Sequence, residues 1–202
     1  MVDELPPYRA CVAHRVDDAD RWKAGFDDLE PARRAAGILG HHINRAVDDP
    51  HLITVFLAVA DVERARVFTS SYEQDDVVQR LGILSQPETE WLLPLRASIV
   101  SHRRLPAYLL RRRVLDLDSW LAGYDAAAGQ READGIVGHS ADRSLDDPSS
   151  VTVYHQAESF DALHRHLAAR EDGVTPLAGA DPEATFHTGG WARTYGAPVM
   201  RR

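Results

Sequence analysis

The sequence lacks the features that would direct a protein to an oxidising compartment, a membrane or a nucleic acid. Its one cysteine, Cys11, excludes an intramolecular disulfide, and the apolar run around it predicts a small core residue. No apolar run approaches the roughly 20 residues that span a bilayer. The acidic, proline-bearing residues 1–7 do not resemble a signal peptide. With a net charge of −8, we expect a cytoplasmic protein without membrane or nucleic-acid partners.

Motifs that bind cofactors are missing as well. There is no glycine-rich phosphate loop, so neither a nucleotide nor a flavin is predicted. His41 and His42 are adjacent and point to opposite faces of a strand, whereas His164 and His166 are two apart on a helix, so neither pair has metal-ligand spacing. We predict no metal and no cofactor, and haem held by a histidine is left as an alternative.

What the sequence does contain is an internal repeat. Residues 20–56 match residues 118–154 without a gap, at a constant offset of 118 − 20 = 98 residues. The matched segments include Trp22–Asp27 with Trp120–Asp125, Gly37–His41 with Gly135–His139, and Asp48–Pro50 with Asp146–Pro148. A repeat of this length indicates one supersecondary unit used twice.

Each repeat is predicted to be α+β, with the ferredoxin-like order β-α-β-β-α-β. We place the first repeat at residues 1–100, a linker at 101–107 and the second repeat at 108–202. Pro31 is expected to interrupt the first helix. The second copy lacks seven residues between its second helix and its last strand, which removes most of the short helix predicted around Tyr72.

The repeated motif carries a family resemblance. A helix with Trp-x-x-x-Phe or Tyr, then Gly-Ile-x-Gly-His, an arginine, Asp-Asp-Pro and a β-rich strand resembles the dimeric α/β-barrel superfamily, and within it the antibiotic-biosynthesis monooxygenase group. The resemblance implies an intrachain pseudo-dimeric barrel in which one chain supplies both halves. Monooxygenases without cofactors, polyketide cyclases, haem proteins and stress proteins all occur in this superfamily.

Histidines in the second repeat are the main candidates for chemistry. Apolar alternation puts Leu39 and Ile43 on one face with Leu57, and Val137, His139 and Arg143 on one face with His155. His155 occupies the place of Leu57, and His187 that of Leu92 if Trp91 is aligned with Phe186. The predicted catalytic residues are His155, His139, Arg143 and His187. Each histidine could instead be a satisfied core residue, since a polar group among apolar ones costs stability unless it is paired.

A second group of residues is predicted to bind substrate. It comprises Trp191, Tyr154, Trp91, His41, Arg45 and Tyr72. For Arg45 and Arg143 the alternative is pairing with the Asp-Asp turns, and for His41 and His139 it is a hydrogen bond to a helix terminus.

By resemblance, we expect cofactor-independent oxygenation of a phenolic or anthrone-like polyketide. His155 or His139 would take a proton, Arg143 would stabilise the anion, and Trp191 and Tyr154 would stack on the rings. The alternatives are a polyketide cyclase that uses the same pocket and a non-catalytic barrel that binds small molecules. The protein would be a monomeric pseudo-dimer or a homodimer.

Overall fold

The computed structural model describes the backbone of residues 5–71, 75–171 and 185–194, and the side chains of residues 5–71 and 76–168. The chain is a mixed α+β protein with antiparallel strands, as the sequence predicts. Its elements fall into two units by their contacts: the first runs to Leu92 and resumes at Gly190, and the second runs from Leu93 to Gly189. Within these residues no helix is long and apolar enough to cross a bilayer.

The first unit contains one four-stranded antiparallel arrangement. Its elements are β1 (Tyr8–Arg15), α1 (Ala19–Asp28), α2 (Glu30–Ala35), β2 (Ile38–Ala46), β3 (Leu52–Val59), α3 (Val62–Ser70), α4 (Asp75–Leu81) and β4 (Glu88–Ser98), the last of which continues into the second unit. β1 pairs with both β3 and β4, and β2 pairs with β3, so the strand order is β4-β1-β3-β2. Cys11 is buried in β1, as predicted.

In its described residues the second unit has the same order of elements as the first, with one helix between its third and last strands. They are β5 (Pro106–Arg113), α5 (Leu117–Ala126), α6 (Ala128–Ala133), β6 (Ile136–Ser144), β7 (Ser150–Ala157), α7 (Phe160–Glu171) and β8 (Thr185–Thr194). β5 pairs with β7 and β8, and β6 pairs with β7. The seven-residue difference between the repeats falls outside the described residues.

The first helix of each unit is broken in two at equivalent places. Pro31 lies in the first turn of α2, in agreement with the predicted interruption. The second unit breaks in the same way without a proline, so proline alone does not explain it. In each unit a buried arginine of the short second helix, Arg33 or Arg131, donates to the carbonyl of Phe26 or Tyr124 seven residues earlier. This bond occupies an acceptor that a continuous helix would use for its own ladder.

Strand register follows the predicted apolar face with one correction in each unit. His41 lies opposite Leu57, and Ile43 opposite Val55, as expected. A bulge between Ile38 and Gly40 then shifts the pattern, so that Ile38, and not Leu39, faces Val59. A bulge adds one residue to a strand and reverses the face of the residues beyond it.

The same bulge occurs in β6, where the assignment of Val137 to the buried face is wrong. Ile136 lies opposite Ala157 and is buried, whereas Val137 is 39% exposed. Past the bulge, His139 lies opposite His155 and Arg143 opposite Val151, as predicted. The histidine pair therefore sits on the face of the sheet that α5 and α7 cover.

Candidate active site

The buried helix-side layer of the second unit is polar where that of the first unit is apolar. Five equivalent positions differ at the 98-residue offset: Ala10 and Tyr108, Phe26 and Tyr124, Ala36 and Asp134, Leu57 and His155, and Phe68 and His166. The strand registers support this equivalence, because Ala10 lies opposite Leu57 and Tyr108 lies opposite His155. One unit therefore carries a cluster of titratable groups that its partner repeat lacks.

His155 lies at the centre of this cluster and is fully buried. Its Nδ1 is 2.6 Å from the hydroxyl oxygen of Tyr108 in β5. Its Nε2 is 3.2 Å from the hydroxyl oxygen of Tyr124 in α5. A neutral imidazole has one donor and one acceptor nitrogen, so one tyrosine donates to the ring and the other accepts from it. Both ring nitrogens are thus satisfied, which explains how a histidine replaces a core leucine.

The hydrogen-bonded chain continues from Tyr124 to His139. The Tyr124 hydroxyl is 2.9 Å from Nδ1 of His139. His139 is only half-buried, whereas Tyr108, Tyr124 and His155 are buried. The four side chains therefore link a partly exposed imidazole to the interior, and we call them the tyrosine–histidine chain.

Burial lowers the pKa of His139 below its ordinary value, and the nearby Arg131 guanidinium lowers it further. The Asp125 carboxylate opposes these effects, although a bidentate pair with Arg96, at 2.8 and 2.6 Å, offsets part of its charge. Because the ordinary histidine pKa is near 6.5, the His139 ring is mostly neutral at pH 7. It is therefore able to accept a proton.

A histidine–carboxylate pair lies behind His155. Nδ1 of His166 in α7 is 2.6 Å from the Asp134 carboxylate, at the end of α6. The His166 ring meets the His155 ring edge-on, with 5.1 Å between the centroids. Arg131 adds a cation to the same layer, since its guanidinium carbon lies 4.1 Å from the centroid of the Tyr124 ring. The buried cluster is thus flanked by one carboxylate and one guanidinium.

Arg143 is half-buried on the same face of β6 as His139. Its Nε is buried without a hydrogen-bond partner among the described residues. The Asp147 carboxylate of the neighbouring turn instead pairs with Arg113. In the first unit Arg45 donates to the Pro50 carbonyl of its turn at 2.7 Å, so it contacts the turn through the backbone and is exposed.

The corresponding layer of the first unit is an aromatic stack. Rings of His14, Trp22, Phe26 and His41 follow one another at centroid distances of 5.4, 5.0 and 5.0 Å. His41 therefore meets a phenyl ring where His139 meets a phenol. Burial lowers the pKa of His14 to about 4, so this ring is neutral.

Two of the other predicted site residues lie apart from the tyrosine–histidine chain. Tyr154 is buried opposite Leu109 and Ser140, on the face of β7 opposite to that of His155. Trp91 is buried in the first unit, with the Arg66 guanidinium carbon 4.9 Å from its ring centroid.

The remaining candidates fall in β8 or outside the described residues. Strand position 187 pairs with Ala107, which lies opposite Gln156, and so falls on the other face from His155. The side chains of His187 and Trp191, and all of Tyr72, lie outside the described residues. Within the described part of the chain, no three histidine, cysteine, aspartate or glutamate side chains are placed to hold a metal ion.

Sequence reasoning found His139 and His155 but missed the side chains that bond to them. Tyr108 and Tyr124 have the spacing of ordinary core aromatics. The position of His166 on a helix did not indicate a functional role. The signal was present in the repeat, because each replaces an apolar residue of the first copy at the 98-residue offset.

Comparison with known proteins gives the fold. No protein-family model matches the chain, and no curated protein sequence matches it. Solved structures do match along nearly the whole chain. One from Fusobacterium nucleatum, described as a "putative monooxygenase", has a TM-score of 0.62 at 10% identity over 95% of this chain and 96% of that chain. An anthrone oxidase-like protein has a TM-score of 0.62 at 12% identity, over 96% and 95%.

A chlorite dismutase variant from Candidatus Nitrospira defluvii, in complex with cyanide, has a TM-score of 0.58 at 12% identity over 92% of this chain and 91% of that chain. The chain has the fold of the dimeric α/β-barrel superfamily. At such low sequence identities the structural similarity establishes the fold and not the chemistry, which depends on the individual residues of the site.

Proposed function

We propose that this protein is a cofactor-independent monooxygenase that acts on a hydrophobic aromatic small molecule at the exposed end of the tyrosine–histidine chain. The observation that carries the proposal is the half-buried His139, a neutral base hydrogen-bonded to a buried network that the first unit lacks. The likeness to structures described as a monooxygenase and an anthrone oxidase-like protein supports the reaction class.

In this proposal His139, and not His155, takes the proton from the substrate. His155 is fully buried with a tyrosine hydroxyl on each ring nitrogen, so a substrate cannot reach it without displacing Tyr108 or Tyr124. His139 has one ring nitrogen on Tyr124 and is partly exposed. A general base must come within hydrogen-bond distance of the proton it removes, and His139 meets that requirement better.

The chemistry needs only molecular oxygen as co-reactant. The neutral His139 ring removes a proton from the acidic CH2 of an anthrone or from a phenol, which leaves an electron-rich carbanion or phenolate. This anion transfers an electron to oxygen, the two radicals combine, and the resulting hydroperoxide loses water. Overall, a CH2 group and one O2 become a ketone and one H2O, so the atoms balance.

Arg143 is the candidate for stabilising the developing anion. It lies on the same strand face as His139, four residues further along, which is about 13 Å at the rise of a β-strand. A long arginine side chain can bridge much of that distance and meet the far side of a fused-ring substrate. Its guanidinium would pair with the oxyanion as the charge develops.

The buried His155 does not fit haem binding. An axial histidine must offer a free ring nitrogen to iron. Both ring nitrogens of His155 are bound to tyrosine hydroxyls. We therefore derive no step through haem.

The tandem arrangement is part of the proposal. One chain would supply both halves of an intrachain pseudo-dimeric barrel, which the 98-residue offset and the shared order of elements support. The barrel would then not require a second chain. Sedimentation equilibrium at micromolar concentration decides whether the fused chain is a monomer or pairs again as a homodimer.

Oxygen uptake tests the reaction itself. Purified protein would be added to a panel of anthrones and naphthols without any cofactor, and oxygen consumption would be compared with the uncatalysed rate. We expect uptake with a one-to-one ratio of oxygen to quinone product. Binding of the aromatics without uptake would contradict the proposal and favour a cyclase or a binding barrel.

A further inference from the structure

We propose that Tyr124 and His155 act as a proton relay, which carries the substrate proton away from His139 into the interior of the second unit. The functional use of the relay rests on the function proposed above, whereas its proton arrangement is a property of the resting protein. The three hydrogen bonds of the tyrosine–histidine chain, at 2.9, 3.2 and 2.6 Å, form one unbroken path.

The proton positions on the two histidines of this path are linked through Tyr124. Tyr124 has a single hydroxyl proton and bonds to two imidazoles, so it donates to one of them and accepts from the other. If it donates to Nδ1 of His139, then Nε2 of His155 carries a proton. If it donates to Nε2 of His155, then Nδ1 of His139 carries a proton. In both arrangements the two histidines are the same tautomer.

The relay step moves one proton along each of two bonds. Nε2 of His139 takes the substrate proton, while Nδ1 passes its own proton to the Tyr124 oxygen. The Tyr124 hydroxyl proton moves at the same time to Nε2 of His155. His139 ends neutral, and His155 ends as an imidazolium that donates to both tyrosine oxygens, so charge and protons balance.

Groups around His155 suit a transient positive charge. The ring of His166 contacts His155, and the Asp134 carboxylate bonded to His166 provides negative charge behind it. At the other end, the Arg131 guanidinium lies over the Tyr124 ring and lowers the pKa of His139. The Asp125 carboxylate near His139 opposes the effect of Arg131, but Arg96 offsets part of its charge, so the carboxylate behind His155 favours an inward proton position.

The relay would serve the reaction by preventing proton return. A carbanion formed next to an imidazolium recaptures its proton faster than it meets dissolved oxygen. Moving the charge to His155, whose ring centroid is 6.4 Å from that of His139, separates the ion pair by a neutral phenol. The first unit has Phe26 and Leu57 at the relay positions, so it cannot perform this step.

Nitrogen NMR of histidine-labelled full-length protein, without substrate at pH 7 to 8, tests the relay. Imidazole nitrogen shifts identify the tautomer of each ring. We expect both His139 and His155 to carry their proton on Nδ1 in the wild type, which is the arrangement that the relay step requires. Tyr124→Phe, which installs the residue of the first unit, should remove this link and change the tautomer mixture of His139. A proton on Nε2 of either ring in the wild type, or an unchanged His139 spectrum in Tyr124→Phe, would overturn the relay.

Tyr154→Phe is the matched control for the NMR measurement. It also removes one buried tyrosine hydroxyl and also installs the residue of the first unit, Phe56, but on the opposite face of β7. The imidazole shifts of His139 should stay as in the wild type. Once a substrate is known, Tyr124→Phe should lower kcat by about 100-fold with KM unchanged. Because the tautomers are measured without substrate, a failed oxygen assay does not decide the relay.

Discussion

The hydroxyl of Tyr124 bonds to Nδ1 of His139 at 2.9 Å, whereas Phe26, its equivalent in the first unit, meets His41 only ring to edge at a centroid distance of 5.0 Å. The hydroxyl oxygen of Tyr124 thus replaces an aromatic contact by a hydrogen bond between the half-buried His139 and the buried network. The two repeats share the same order of elements, and the second has polar groups at core positions where the first has apolar ones.

The stability cost of this network is measurable. His155→Leu removes the two hydrogen bonds that its ring makes with the buried hydroxyls of Tyr108 and Tyr124, at about 1–3 kcal/mol for each bond lost. We expect the free energy of unfolding in urea to fall by about 2–4 kcal/mol. The double variant with Tyr124→Phe should lose less than the sum of the two single variants, because both changes remove the same hydrogen bond between Tyr124 and His155. Additive losses in the double variant would show that the hydroxyls are not coupled through His155.

The helix break in the first unit depends on the buried Arg33. Arg33→Met removes the donor to the Phe26 carbonyl and the guanidinium over its ring, so we expect a loss of about 2–3 kcal/mol in the free energy of unfolding. The adjacent Arg34 is exposed and pairs with Glu30 at 3.6 Å, so Arg34→Met should cost less than about 0.5 kcal/mol. Equal urea midpoints for the two variants would refute a structural role for Arg33.

Stability should fall in acid through His14. Its folded pKa is about 4, below the ordinary 6.5, so the unfolded chain binds the extra proton between these values. Stability is therefore complete above pH 6.5 and is lost as the pH falls to 4, by about 3 kcal/mol. Between pH 7 and pH 4, the free energy of unfolding measured in urea should fall by about 3 kcal/mol less in His14→Phe than in the wild type. The contribution of His42 is the same in both proteins. The exposed variant His102→Asn should follow the wild-type curve, and a His14→Phe curve parallel to it would refute the effect.

Gly138 should not tolerate a side chain. A Cβ there would lie 2.2 Å from Oε1 of Gln156, whose amide bonds to both the N–H and the carbonyl of Val100. Gly138→Ala must displace a buried, doubly bonded side chain, and we expect a loss of about 2 kcal/mol or more in thermal or urea unfolding. Gly129→Ala is the control, since its Cβ would meet nothing within 4 Å. A Gly138→Ala midpoint equal to that of the control would contradict this packing.

Much of the fold could be predicted because the same sequence pattern occurs in both repeats. Apolar alternation set the register that puts His139 opposite His155, and the Asp–Asp–Pro turns marked the hairpins. The bulges of β2 and β6 were missed, since both copies contain them and neither has a local turn signal. The break of α5 from α6 was missed as well, because it depends on the contact of Arg131 with Tyr124 and not on local propensity.

The site was less predictable, because its partners are distant in sequence. Tyr108 and His155 are 47 residues apart and meet only through strand pairing. Tyr154 was predicted to stack on the rings of the substrate that His155 or His139 deprotonates. Neighbours in a strand point to opposite faces, so any role of Tyr154 in binding substrate would be exercised on the face opposite to His155. Comparison of the two copies at a fixed offset identifies the polar positions from the amino-acid sequence alone.

Comparison of the wild type with His139→Asn in the oxygen-uptake assay tests the central claim most directly. The initial rate with the best anthrone or naphthol would be measured for the wild type, His139→Asn and the exposed control His102→Asn. We predict that His139→Asn reduces the rate by at least about 100-fold while His102→Asn does not change it. Wild-type rates in His139→Asn would remove His139 as the base and, with it, the proposed site.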